Sequence, residues 1–212
     1  MTRIKDFSAF LNERELPDKQ GKIIVILGQP GSGKGTISKQ LAENNDVVHI
    51  STGDLIRESN DRELKSVVGK GDFIPDRIMS RMLRKKLRET DLSKDIIIDG
   101  FPRTMKQTLI LDRILGKLGV GLNHCIYLDV SEDIAKKRIM RRAEKENRPE
   151  DKKEKTIEKR FKDFKEKTAP IVDKYEKSRR LVKIDGSKKI RDVYKEVAKV
   201  LGLKVPVQKK GQ

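Results

Sequence analysis

The chain has a single cysteine, no tryptophan, two histidines, and aromatic residues at only 4% of its 212 positions. A lone Cys125 excludes an internal disulfide and suits a reducing compartment. It sits in the apolar run CIYLDV, where it reads as a buried structural thiol rather than a nucleophile. With His49 and His124 far apart and one thiol, no Cys/His zinc cluster can be assembled. So few aromatics leave few platforms on which nucleic-acid bases could stack. No apolar run approaches the ~20 residues of a membrane span. The opening MTRIKDFSAFLNERELPDKQ has no apolar centre of a secretory signal, and Asp6, Glu13, Glu15 and Asp18 argue against a mitochondrial presequence. Residues 1–20 read as a short, partly helical arm, and the expectation is a cytoplasmic protein without a membrane partner.

What is abundant is charge. Lys and Arg number 50 against 33 Asp and Glu, a formal net charge of +17, so the partners expected are anionic: nucleic acid, an anionic membrane or phosphorylated small molecules. The length suits one compact domain. Five apolar runs of strand length recur, at Lys22–Leu27, Asp46–Ile50, Asp95–Asp99, His124–Val130 and Arg180–Asp185. They are continuous rather than alternating, as in strands covered on both faces. Helically spaced segments such as Asp76–Glu89 and Thr104–Leu118 lie between them. This alternation predicts a parallel sheet between two layers of helices, with ligands beyond the carboxyl ends of the strands. From Ser131 to Ser178 the chain is densely charged, and AEKENRPEDKKEK by composition alone reads as a solvated helix with a loop in it. The last stretch, KVPVQKKGQ, reads as a frayed tail.

The most specific stretch is VILGQPGSGKGTISKQL, a buried-strand pattern, a glycine-rich turn and a helix. Glycines let backbone N–H groups turn toward an anion, the helix from Lys34 adds its N-terminal dipole, and Lys34 adds a full charge. On this reading, side chains at the glycines would block the anion. Gly28, Gly33 and Lys34 fit the general phosphate-loop spacing, but Gly35 stands where Ser or Thr follows the lysine, with Thr36 one residue later. GQPGSGKGT is similar to the loop of nucleoside monophosphate kinases.

Two further clusters follow strand ends. In HISTGDLIR, Thr52 can touch a base and Arg57 can grip a phosphate; as a lone string it also fits a plain helix capped by Ser51 or Thr52. In IIIDGFPRTMKQ, Asp99 suits a water-mediated magnesium contact, Gly100 permits close approach, Arg103 supplies a guanidinium and Gln107, one turn later, can read a base edge.

With these segments, GDFIPD, RIMRR and KRFKDFKEKTAPIVDKY, residues 22–203 resemble the adenylate kinases in their short-lid form. The resemblance implies an α/β phosphate-loop fold: a three-layer sandwich on a central five-stranded parallel sheet. It implies a core over 21–203, an AMP-binding insert at about 51–76, a short lid at about 142–152 and a tail at 204–212. It implies that Gly31, Ser32, Gly33, Lys34, Gly35 and Thr36 hold the ATP phosphates, with Arg138 stacking on the donor base, Arg142 reaching its phosphates and the backbone near Lys188 facing its adenine. Thr52, Arg57, Ile74, Gly100, Arg103 and Gln107 are implied on the AMP side. Arg148 and Arg160 are implied to close over the transferring group. Thr52, where uridylate/cytidylate relatives carry alanine, implies AMP as acceptor. Departures from the family pattern are Glu150 in RPED, one extra residue between Asp151 and Arg160, and a shortened insert.

The implied reaction is MgATP + AMP ⇌ ADP + MgADP, with ATP as donor and Mg2+ as cofactor, in a monomer. Lys34, Arg103, Arg142, Arg148 and Arg160 would be the cations that offset charge as two phosphates approach. A uridylate/cytidylate kinase is the alternative within the class. A basic nucleic-acid-binding module with an inactive nucleotide fold is the alternative outside it; the charge supports it, but no groove-reading motif does, and no specific nucleic-acid partner is expected.

Overall fold

The computed structural model describes residues 20–206 apart from 147, 149 and 150; the arm at 1–19, Glu150 and the tail beyond 206 lie outside the described residues. Five strands, β1 (Ile23–Leu27), β2 (Val47–Ser51), β3 (Asp95–Asp99), β4 (Leu122–Asp129) and β5 (Leu181–Asp185), form one sheet in the order β2-β3-β1-β4-β5. Every pairing is parallel. The connections from β1 to β2 and from β4 to β5 leave in opposite directions, which opens a crevice beyond the carboxyl ends of the central strands.

The continuous apolar runs are explained by double coverage. Ile23, Val25 and Leu27 point into one core cluster and Ile24 and Ile26 into the other, and all five are buried. Helices α1 (Lys34–Asn44) and α9 (Ile190–Leu201) cover one face through Ile37, Leu41, Val193 and Val197. The other face is covered by α4 (Asp76–Arg88), α5 (Met105–Gly116) and α8 (Ala169–Lys177), through residues such as Leu83, Leu111 and Tyr175. Helix α4 shows why the sequence folds this way locally: Met79, Leu83 and Leu87 recur every fourth residue on the buried face. Asp76 in the first turn and Lys85, Lys86 and Arg88 in the last complement the helix dipole.

Two short helices, α2 (Thr52–Glu58) and α3 (Arg62–Gly69), form the insert between β2 and α4. The charged middle is α6 (Glu132–Lys145) and α7 (Glu154–Asp163), followed by one π turn (Phe164–Thr168) running into α8. It is not a solvated face throughout: Ala135, Ile139 and Phe161 form a small core with Val130, and Ile171 and Tyr175 join the main one. Sparse apolar residues at helical spacing suffice for that. At the far end, the backbone of Lys204 is tied to the core. The Lys204 N–H donates to Asn45 Oδ1 at 2.8 Å, and its carbonyl accepts from Tyr194 Oη at 3.2 Å.

Candidate active site

The turn between β1 and α1 ends at Gly33, whose φ of 97° lies in the left-handed region. The first turn of α1 carries no side-chain cap and no acidic residue, so its amides and dipole face the crevice uncompensated. The Lys34 ammonium folds back and donates to the carbonyls of Gly28 at 2.7 Å and Gln29 at 3.1 Å. Burial pulls its pKa down to about 8, with Asp99 acting in the opposite sense.

Two of the loop glycines have a packing reason beside the one expected. A Cβ on Gly31 would stand 2.3 Å from the Ala135 carbonyl oxygen, and one on Gly28 would lie 2.6 Å from Ser32 Oγ and 2.8 Å from the Leu128 carbonyl oxygen. At these two positions the chain itself already excludes a side chain. They let the loop pack against α6 and the end of β4, which fixes where the amides point.

Across the crevice, Ser51 caps α2 by accepting from the Asp54 N–H at 3.2 Å, so the capped-helix reading of HISTGDLIR is correct as far as it goes. Thr52 comes next, 1% exposed, with Oγ1 donating to the Asp99 carbonyl at 3.2 Å. Arg57 Nη2 meets Asp54 Oδ1 at 2.7 Å. Gly100, φ 85°, leaves room beside Thr52 Oγ1, where a Cβ would approach to 2.5 Å. Arg103 donates through Nε to the Gly100 carbonyl at 2.7 Å, and its guanidinium lies 5.7 Å from the Phe73 ring centre. The Gln107 amide accepts from the Arg103 N–H at 2.7 Å and donates to Asp76 Oδ1 at 2.8 Å. Both ends of its amide are thus engaged in ordering the loop.

The arginines from α6 and α7 converge on a residue that sequence reasoning passed over. Asp151, its side chain wholly buried, accepts from Arg142 Nε at 2.6 Å, Arg142 Nη2 at 2.9 Å and Arg160 Nη1 at 2.7 Å. Burial alone would raise its pKa; the two guanidiniums outweigh burial and hold it below the ordinary carboxylate value. Arg148 pairs with Glu146 at 2.6 Å. Arg138 is pinned to the carbonyls of Gly186 at 2.9 Å and Ser32 and Ser187 at 3.4 Å. The Lys188 ammonium is turned to Glu196 at 2.6 Å.

One cleft of about 460 Å³ joins these parts: Gly31, Gly33 to Thr36, Thr52, Arg57, Ile74, Gly100, Arg103, Gln107, Arg142, Arg148 and Arg160 all line it. A second groove of about 430 Å³ continues from the loop past Ser32, Arg138, Arg142 and Lys188. Every site residue expected from the sequence therefore borders one of two adjoining spaces, and Asp99 lies on the wall of the first. Its carboxylate would be 3.5 Å from a Cβ on Gly35 and stands 3.8 Å from His49 Nε2, an ion-pair distance rather than a hydrogen bond. Burial would raise its pKa, but the His49 ring, Lys34 and Arg103 together keep it lowered and ionised.

The family profile described as Adenylate kinase matches residues 26–180. The chain belongs to the adenylate kinase family. It is 37% identical over 185 residues to "Adenylate kinase" of Xanthomonas euvesicatoria pv. vesicatoria (strain 85-10), covering 84% of this chain and 98% of that one. The same identity and coverage hold for "Adenylate kinase" of Xylella fastidiosa (strain M12). "Adenylate kinase" of Thermosipho melanesiensis is 34% identical over 210 residues, again with 84% and 98% covered. Membership makes this chain a nucleotide-binding phosphotransferase, and the five-stranded parallel sheet is the fold expected of that family. Among the described residues no helix is long and apolar enough to cross a membrane.

Beyond Asp151, the sequence reading missed Phe73, Asp54 and Asp76, which hold the arginines or Gln107. Asp54 was legible from its i, i+3 spacing to Arg57; Phe73 and Asp76 lie in GDFIPD, but nothing in that segment tied them to Arg103 or Gln107.

Proposed function

We propose that this cleft moves the terminal phosphoryl group of ATP to AMP, and back, by charge-stabilised in-line displacement. The observation that carries the reading is a single cleft bordered at once by Lys34 and the uncapped turn of α1 and by Thr52, Arg57 and Arg103. In it the amides of Gly31 to Thr36 and Lys34 hold the donor phosphates, and the groove past Arg138 and the backbone at Lys188 takes the donor base. Thr52, Ile74, Gly100 and Gln107 surround the acceptor nucleoside, with Arg57 and Arg103 on its phosphate.

Little covalent chemistry is asked of the protein. The attacking AMP oxygen is already ionised near neutral pH, so no general base is required. Neither histidine is placed to be one: His49 is tucked behind Asp99, and His124 lies within β4. What the site supplies is alignment and positive charge. Asp151 holds Arg142 and Arg160 oriented before any phosphate arrives, so the electrostatic stabilisation is preorganised. Arg148, which borders the cleft beside Arg142 and Arg160, adds its charge over the transferring group, and water kept from the site cannot accept the phosphoryl group.

Magnesium fits this donor set in one way. Among the described residues no cluster of His, Cys, Asp or Glu could hold a metal alone. The ionised Asp99, facing the first turn of α1, suits a contact through water to an ion carried mainly by ATP phosphates. Bound there, Mg2+ supplies charge neutralisation between the phosphates. The reading includes a cytoplasmic monomer, since the buried Cys125 suits reducing surroundings and one chain builds the whole cleft.

The test is an acceptor panel of AMP, CMP, UMP and GMP in a coupled assay for ADP. AMP should exceed the others in kcat/KM by about tenfold or more. A preference for CMP or UMP overturns AMP as acceptor, and no turnover with any of them overturns the reading itself.

A further inference from the structure

Arg103 is held by more than its own loop, and the other half of the grip comes from 65 residues away. Helix α7, which carries Arg160, does not end at Asp163; it passes into the π turn Phe164–Thr168, closed by Ala169 N–H donating to the Phe164 carbonyl five residues back. Pro170, at the start of α8, has no N–H for an ordinary α-helical bond, so a wide turn at this point is chemically reasonable. The additional residue rotates the downstream helix by about 100° relative to an unbroken α-helix. At that setting Thr168 is buried, and its hydroxyl does not bond back within its own helix as helical threonines commonly do. Thr168 Oγ1 instead donates to the Arg103 carbonyl at 2.9 Å. The Arg103 peptide is thereby fixed on both sides, its N–H by Gln107 and its carbonyl by Thr168. The neighbouring Lys167, paired with Asp163, lies 5.0 Å from the centre of the same Phe73 ring that Arg103 faces.

We propose that Thr168 is a positioning residue for phosphoryl transfer: the π turn presents its hydroxyl to Arg103, setting that guanidinium relative to Arg160 on the same helical rod. The inference rests on the assignment of Arg103 and Arg160 to the transferring group. It gives the π turn a role, because an uninterrupted helix would carry Arg160 but direct residue 168 elsewhere. Misplacement of one of two converging cations matters most when charge is most crowded, in the transition state, and less when each nucleotide binds by itself.

The experiment compares wild type, Thr168→Val, Thr168→Ser, Arg103→Ala and the double variant Arg103→Ala/Thr168→Val. Single-turnover phosphoryl transfer, KM for ATP and AMP, and thermal melting are read for each. Thr168→Val should slow transfer about tenfold or more, with both KM values within about twofold of wild type. Thr168→Ser, which keeps the hydroxyl, should recover to within about threefold. In the Arg103→Ala background, Thr168→Val should cost nothing further, because the group it positions is gone. Transfer by Thr168→Val within about twofold of wild type overturns the proposal. So does an undiminished additional loss in the Arg103→Ala background, which would show that Thr168 acts on packing instead. Near-normal transfer by Arg103→Ala is the separate outcome that removes the underlying assignment, and the proposal with it.

Discussion

Asp151→Asn replaces a carboxylate with an amide of almost the same shape, at a position whose side chain is wholly enclosed. Three charge-assisted hydrogen bonds, two from Arg142 and one from Arg160, lose their anionic acceptor. The new NH2 group must face a guanidinium, donor against donor. Removing one partner of a fully buried pair costs about 3–5 kcal/mol. Here the arginine side chains are 26% and 21% exposed, so water recovers part of the loss, and about 2–3 kcal/mol is expected. For a chain of this size that corresponds to a fall in Tm of roughly 5–10 °C, measurable by calorimetry or circular dichroism. The rate should fall as well, since both arginines lose their fixed orientation. Nucleotide provides a further check: phosphates bring negative charge to the same guanidiniums, so saturating ATP and AMP should raise the variant's Tm by more than they raise that of wild type. A variant that melts within about 1 °C of wild type and turns over normally would refute the idea that Asp151 holds the two arginines in place.

Other consequences come from the same geometry. Lys34 in the free protein is lowered to about 8 by burial, so kcat/KM for ATP should decline as pH rises through about 8, where the ammonium loses its proton; kcat should hold to higher pH because bound phosphates favour the charged form. A kcat/KM that stays flat across that range contradicts the role given to Lys34. Gly31→Ala should destabilise the fold by about 1–3 kcal/mol, since its Cβ would meet the Ala135 carbonyl at a φ of 80°; unchanged chemical denaturation would count against the packing reason for that glycine. Thr52→Ala, beside Gly100 at the acceptor end, should narrow the preference for AMP over CMP by about tenfold, read from the ratio of specificity constants; an unaltered ratio removes Thr52 as selector.

Much of the frame was legible because the signals were local. The run KIIVIL reads as a strand buried on both faces, and Ile23 to Leu27 do alternate between the two cores. The loop after it had glycine, lysine and helix in one short window, and Asp99 was marked by its place at a strand end. What stayed hidden depends on tertiary approach. Whether a glycine serves an anion or a neighbouring helix cannot be read from GQPGSGKGT, because Ala135 lies about a hundred residues along the chain. Asp151 was noted in RPED only as a departure in spacing; what it binds appears only once α6 and α7 converge on it. A π turn leaves almost no trace in a sequence, and the proline at 170 was its only sign. Gln107 lines the cleft, and its ties to Arg103 and Asp76 could be read only from the fold.

The central claim is that two nucleotides meet with their phosphates in line in one cleft. Titration calorimetry with a dinucleotide whose two adenosines are joined by a polyphosphate bridge tests it most directly. The account predicts one molecule bound per chain, held more tightly than ATP or AMP alone, and excluding both. A bridge compound that binds no better than ATP and leaves AMP free to bind beside it would contradict the account.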